Sequence, residues 1–207
     1  MQKIFYLMRH GQTLFNVQGR IQGACDSPLT ALGIKQAQAA RAYFQEQDIV
    51  FDKVYSSTQE RACHTAEIAS GLTDLIRLKG LKEWNFGAFE GHPEYLNPHL
   101  FKEDGSGYRD YFVAYGGESN SEVYKRMAAT IKNALADENE ETISLFVSHG
   151  ASITQFYRHM TVDAPILEKP MSNCAILKLA YDGKGMQVLS VYNPMEQEYI
   201  FDRLKES

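Results

Sequence analysis

Cysteine is sparse and scattered in this chain. Cys25, Cys63 and Cys174 are the only three among 207 residues. Their number is odd and no two form a CxxC pair, which argues against a disulfide framework and against a thiolate zinc site. They read as free, buried thiols of a reducing compartment. Long apolar runs are also missing. The run over residues 4–8 stops at Arg9-His10, too short for a signal segment or a membrane span, and no other stretch approaches 18 apolar residues. No membrane partner is therefore expected, and a cytoplasmic location is. Nor is positive charge in excess. Lys and Arg total 21 against 26 Asp and Glu, a net charge of −5, so the general attraction that a nucleic-acid binder relies on is lacking. No repeat of solenoid length is visible. The six histidines offer no HExxH spacing and no closed ligand set, so no metal is expected.

What is present is the composition of a folded domain, 44% hydrophobic and 23% charged. The length predicts a single domain over residues 1–207, large enough to hide roughly 70% of its extended surface. Residues 3–8 read as a strand buried on both faces. A helix is predicted over 29–47 with Thr30 as its cap. A short strand over 53–56 is followed by a helix from about Gln59, capped by Thr58 and stopped by Gly71. A third strand is expected over 75–79. Ser119 and Glu122 have capping-box spacing, and Val123, Met127, Ile131 and Leu135 recur every four residues, which predicts a helix over 119–137. A second apolar strand spans 142–148, and strands 174–180 and 186–192 flank a hairpin turn. Alternating strands and helices predict an α/β protein, a three-layer α/β/α sandwich with a mostly parallel sheet. Between Trp84 and Gly117 the pattern is lost to nine aromatics and several glycines. This stretch reads as a small inserted lobe, about 84–118, most of whose aromatics pack rather than face a ligand.

One local echo stands out. LMRHG (7–11) and FVSHG (146–150) are both apolar strands that end in His-Gly and open toward a helix. Ligands of open α/β sheets bind beyond the carboxyl ends of the strands. If the two strands are neighbours, both imidazoles face one site, and helices starting there favour an anion. Arg9 adds charge beside His10, and Arg61 in the first turn after strand 53–56 can reach the same edge. Two guanidiniums and two imidazoles suit a phosphoryl group. A histidine can attack phosphorus if its other ring nitrogen donates its hydrogen to a fixed acceptor. The leaving oxygen needs a proton, for which Glu83, at the start of the aromatic lobe, is the best placed carboxyl group. Glu90, Glu94 and Glu118 compete with it on composition alone.

LMRHGQT (7–13) with Asn16 and Gly19, DSPLTALG (26–33), SSTQERACHTAE (56–67), LKEWNFGAFEG (81–91), GGES (116–119) and VSHG (147–150) resemble, in order, the histidine phosphatase superfamily and its phosphoglycerate-mutase-like branch. The resemblance implies that His10 is the phosphorylated nucleophile and Glu83 the proton donor. It further implies that Arg9, Arg61 and His149, with Gly150 behind it, form the phosphate pocket. Asn16 would touch the phosphate, and Gln22-Gly23 would line the site. It implies a parallel-rich sandwich with a lid after the Glu83 segment, no metal and no other cofactor, and a small phosphorylated metabolite as partner. The expected activity is metal-independent hydrolysis of phosphomonoesters through a phosphohistidine. The alternative is a cofactor-dependent phosphoglycerate mutase. Against the mutase stand a short lid, in which only Lys82, Lys102 and Arg109 are basic, and Ala151 where mutases have a polar residue. Oligomeric state is open at this level.

Overall fold

The side chains of the central strand divide the core in two. Along β1 (Lys3–Arg9), Phe5 and Leu7 point into one cluster while Tyr6 and Met8 point into another, the period-two alternation of a strand covered on both faces. The computed structural model describes residues 2–97, 108–162, 164–167, 169–203 and 205. After β1 come a single turn of helix, α1 (Leu14–Val17), then α2 (Ala31–Glu46), β2 (Lys53–Ser56), α3 (Glu60–Ser70) and β3 (Ile76–Arg77). Next are α4 (Asn120–Ala136), β4 (Ser144–Ser148), α5 (Gly150–Met160), β5 (Thr161–Val162), β6 (Ile176–Tyr181), β7 (Met186–Asn193) and β8 (Glu198–Asp202).

The sheet runs β3-β2-β4-β1-β6-β7-β5, with β8 also on β7. Its site-bearing half, β3-β2-β4-β1, is parallel. β1 to β6, β6 to β7 and β7 to β8 are antiparallel. One face is covered by α4 and α5 through Met127, Ile131, Leu135, Ile153 and Phe156. The other is covered by α2 and α3, whose Ala37, Ala40, Ala62, Ala66 and Ala69 are small enough for close approach. The result is a three-layer α/β/α sandwich.

Local signals place most elements. Thr30 Oγ1 accepts from Gly33 N–H and caps α2. Ser119 and Glu122 form the reciprocal capping box of α4. Gly71 ends α3 at φ +76°, a left-handed cap that glycine adopts without a Cβ penalty. Two expectations need correction. Thr58 does not cap α3: the helix opens after Gln59, which makes no side-chain cap bond, and Glu60 N–H instead donates to Asp26 Oδ2 at 2.6 Å. A loop 34 residues upstream supplies the cap. The strand expected over 75–79 is only two residues long. The chain leaves the sheet in a 3₁₀ turn, Lys79–Leu81, that buries Leu81. There Gly80 lies so close to α4 that a Cβ would meet Thr130 Oγ1.

The aromatic stretch after Trp84 leaves the sheet altogether. It contains 3₁₀ turns at Gly87–Phe89, Glu94–Leu96 and Tyr111–Tyr115. Trp84, Phe86 and Phe112 pack with Ile21 and Val123 in a third cluster. Phe101, His99 and Lys102 fall outside the described residues.

Candidate active site

The two His-Gly turns are neighbours. β1 and β4 pair in parallel register, Arg9 opposite Ser148, and His10 N–H donates to Ser148 O at 3.0 Å. The imidazole centroids of His10 and His149 lie 5.1 Å apart, and both rings are buried. Their hydrogen bonds differ. His10 Nδ1 lies 2.7 Å from Gly11 O, which can only accept, so Nδ1 carries the hydrogen and Nε2 the lone pair. Gly11 N–H donates to Thr65 Oγ1, and Thr65 donates to Arg61 O, which pins the turn. Asn173 Nδ2 holds His10 O from behind at 3.0 Å. Around His149 the order is reversed. Arg61 Nε donates to its Nδ1 at 3.1 Å, leaving the hydrogen on Nε2. That Nε2 is buried and has no partner.

Burial, then the charges of Arg61 and Arg9, hold the His10 pKa well below the usual imidazole value. Burial and Arg61 do the same for His149. Both rings are neutral at pH 7. Burial pushes the neighbouring Cys174 thiol up to about 12, so it presents no thiolate to compete with His10.

Arg9 runs over the start of α5. Its Nη1 donates to Met171 O, and its buried Nε has no partner. A Cβ on Gly150 would sit 3.0 Å from that Nε, which is why the residue after His149 is glycine. Buried unpaired donors are costly in isolation. Two of them beside one imidazole lone pair make a receptor for an oxyanion.

Glu83 is buried at the same edge. Trp84, Ala151 and Ser152 N–H donate to its carboxylate at 2.8, 3.0 and 2.8 Å, so it occupies the N-terminus of α5. Gln59 accepts from Glu83 N–H and donates to Gly23 O, tying the acid to the 22–25 loop.

Arg9, His10, Asn16, Gln22, Glu83 and Gly150 line one cavity of about 1190 Å³. Arg61, His149 and Gly23 stand behind its wall. All three guanidinium nitrogens of Arg61 are bonded within the protein, to His149, to Asp26 and Cys25 O, and to Gln22 O and Gly23 O. Asn16 Oδ1 accepts from Thr13 N–H, and Gln22 bonds Thr13 and Ser27. Gly23 is glycine because a Cβ would lie 2.1 Å from Trp84 O. The competing acids have other work. Glu90 accepts from Gly23, Ala24, Cys25 and Phe86 N–H, and Glu118 pairs with Arg126 at 2.7 Å. Glu94 is exposed on the cavity rim.

Asp26, Gln59, Glu90 and Arg126 were not singled out as parts of the site by sequence reasoning. Arg126 donates to Gly80 O, Lys82 O and Glu83 O and so fixes the segment carrying Glu83. Each acts across tens of residues, where no local pattern marks it. Among the described residues no group of three His, Cys, Asp or Glu could hold a metal ion, and no helix is long and apolar enough to cross a membrane. Trp84, Phe86 and Tyr108 are the lobe's described aromatics that line the cavity.

Known proteins share this arrangement of chain. The probable phosphoglycerate mutase GpmB of Proteus mirabilis is 36% identical over 157 residues, covering 72% of this chain and 70% of its own. The fructose-2,6-bisphosphatase TIGAR B of Danio rerio is 31% identical, with 76% and 74% covered. Among solved structures, a phosphoserine phosphatase variant from Entamoeba histolytica in complex with phosphoserine superposes with a TM-score of 0.77 at 27% identity, over 95% of this chain and all of that one. Residues 5–194 match the histidine phosphatase superfamily, branch 1, and the chain belongs to that superfamily.

Proposed function

We propose that this chain hydrolyses small phosphomonoesters of the cytoplasm through a phosphohistidine on His10. The observation that carries the reading is the pair of buried, unpartnered donors, Arg9 Nε and His149 Nε2, beside an imidazole whose Nδ1 is already committed. His10 Nε2 attacks phosphorus with its lone pair, and the bond from phosphorus to the alcohol oxygen breaks. Arg9 and His149 hold non-bridging oxygens as charge builds on them. Glu83 gives its proton to the leaving oxygen. The resulting carboxylate then takes a proton from water as that water's oxygen attacks phosphorus, and the P–N bond breaks to release phosphate. Asn16 and Gln22 shape the wall, and Gly23 lets the 22–25 loop close on Trp84. Arg61 acts from behind by fixing the tautomer of His149. The stretch 84–118 serves as a lid on the single domain.

A mutase reading draws on the names of relatives such as GpmB and on a phosphoglycerate mutase from Bacillus anthracis, which superposes with a TM-score of 0.75 at 27% identity. Hydrolysis is favoured because Ala151 offers only its N–H, already given to Glu83, and no polar side chain to keep a phosphoryl acceptor in place of water.

The test is phosphate release from a panel of phosphomonoesters in EDTA, run beside conversion of 3- to 2-phosphoglycerate. Release without conversion is expected. Conversion faster than release would replace hydrolase with mutase. Glu83→Gln is expected to slow alkyl phosphates by about 10²–10⁴-fold and aryl phosphates far less, because only the alkoxide needs the proton. Equal slowing of both would remove Glu83 as the acid.

A further inference from the structure

The cavity wall carries a second pair of buried polar atoms without partners, and they are of the opposite kind. Gln155 is 4% exposed and lines the cavity, yet its Oε1 bonds nothing. Asn97 lines it too. Its Nδ2 donates to Tyr108 OH, another lining residue, while its buried Oδ1 bonds nothing. The phosphoryl end of the cavity thus holds unpaired donors, and these two residues hold unpaired acceptors. A buried carbonyl left unpaired costs about 1–3 kcal/mol, so a wall that keeps two of them is built for something that donates.

Helix geometry sets the spacing. Ala151, Thr154, Gln155 and Arg158 all line the cavity, at the i, i+3, i+4, i+7 spacing of one helix face. Ala151 N–H holds Glu83, so Gln155 lies about 6 Å further along the helix from the proton donor. It therefore faces the alcohol part of an ester, a few bonds beyond the oxygen that Glu83 protonates.

We propose that Gln155 and Asn97 form an acceptor subsite that selects phosphate esters whose alcohol bears hydroxyl groups. The inference takes from the proposed function only that Arg9 and His149 face the phosphoryl group. Neutral carbonyls suit neutral donors. A carboxylate would meet two oxygen lone pairs there, and an ammonium would share the cavity with Arg20, Arg158 and Lys169, which also line it. Gln155 and Asn97 are specificity residues in this scheme: they touch substrate away from the reacting atoms.

Non-hydrolysable phosphonates test this without requiring turnover, so the result is separate from that of the phosphatase assay. Binding of butylphosphonate, 3,4-dihydroxybutylphosphonate, and the matched amino- and carboxyalkylphosphonates is measured by calorimetry. The wild type is expected to bind the dihydroxy compound at least about tenfold more tightly than the butyl compound. Gln155→Met, close in shape but without the acceptor, is expected to bring that ratio to about twofold or less. Asn97→Leu lowers it through the second carbonyl, and supplies the reading if Gln155→Met does not fold. The ratio is the measure, because general damage weakens both compounds alike and leaves it unchanged. No hydroxyl preference in the wild type, a preference for the amino or carboxyl compound, or a ratio that survives both substitutions would each overturn the proposal.

Discussion

The turns at 9–11 and 148–150 start from nearly the same local sequence and end with opposite chemistry. Each is an apolar strand, a histidine and a glycine before a loop or helix. At the first turn a carbonyl one residue away takes the Nδ1 hydrogen, and Nε2 is left as a lone pair. At the second, a guanidinium from α3 donates to Nδ1, and Nε2 is left as a donor. One ring is thereby equipped to attack and the other to hold charge. The motif positions an imidazole at the strand end; what it can do is decided by the atom that meets Nδ1. For His149 that atom belongs to a residue 88 positions away, itself held by Asp26 at 2.8 Å.

Removing each ring in turn gives the largest contrast. His10→Ala is expected to abolish trapping of labelled phosphoenzyme and to lower turnover by at least about 10⁴-fold, as loss of a nucleophile does. His149→Ala is expected to cost about 10²–10³-fold, the loss of one oxyanion donor, with labelling of His10 still detectable after rapid quench. Acid-quenched gels of both variants decide it. Labelled His10→Ala, or a His149→Ala that cannot be labelled at all, would exchange or erase the two roles.

The difference between the turns also marks how much the sequence could say. Their positions were legible, because continuous apolar runs, the Thr30 cap and the Ser119–Glu122 capping box are all signals within a few residues. The strand-end rule then brought His10 and His149 to one edge. The residue-by-residue roles of Asn16, Gln22 and Gly23 came only from the family resemblance. What stayed hidden depends on contacts between distant segments. Asp26 caps α3 in place of Thr58 because the 23–26 loop folds onto the helix start. Arg61 could have been a surface residue by its pattern, and is instead fully buried. Glu90 organises the 23–25 loop through four main-chain bonds, although its sequence context suggests only another carboxylate. β8 carries no clear turn or alternation signal and is defined by its pairing with β7.

The two glycines sharpen the comparison at a smaller scale. A Cβ on Gly11 would lie 2.5 Å from Gly33 O and 3.1 Å from Gly33 Cα. That is backbone, and it can yield only if α2 moves. Gly11→Ala is expected to destabilise by about 2–3 kcal/mol. The Cβ of Gly150→Ala would instead meet Arg9 Nε at 3.0 Å, the far part of a side chain. Its stability cost should stay under about 1 kcal/mol, while turnover falls about three- to tenfold as the guanidinium is displaced by a few tenths of an ångström. Denaturant melts and kcat measured on both variants separate packing from positioning. Equal stability losses with equal activity would show that the two turns do not differ in this way.

The smallest expected effect is one the two rings share. Both imidazoles are held neutral in the folded protein, by burial first and by Arg61 next. In the unfolded chain they titrate near the ordinary value of about 6.5. Below that pH the unfolded state binds more protons than the folded one, so stability falls as pH drops from about 6.5 toward the depressed folded values. Above about pH 7 the two rings contribute no slope. Each can tilt the curve by at most about 1.4 kcal/mol per pH unit. Glu122 and Asp182, whose values are lowered by hydrogen bonds, lose their contributions only as pH falls into the carboxylate range, which leaves about pH 5 to 6.5 to the histidines. His159, lowered by burial and Arg158, leaves a smaller residual tilt. Urea melts across this window should therefore show a slope that flattens in His10→Asn and in His149→Asn, and flattens further in the double variant. A slope unchanged in the double variant would mean that neither buried ring resists protonation, and the neutral pair on which the contrast between attacker and donor depends would be lost.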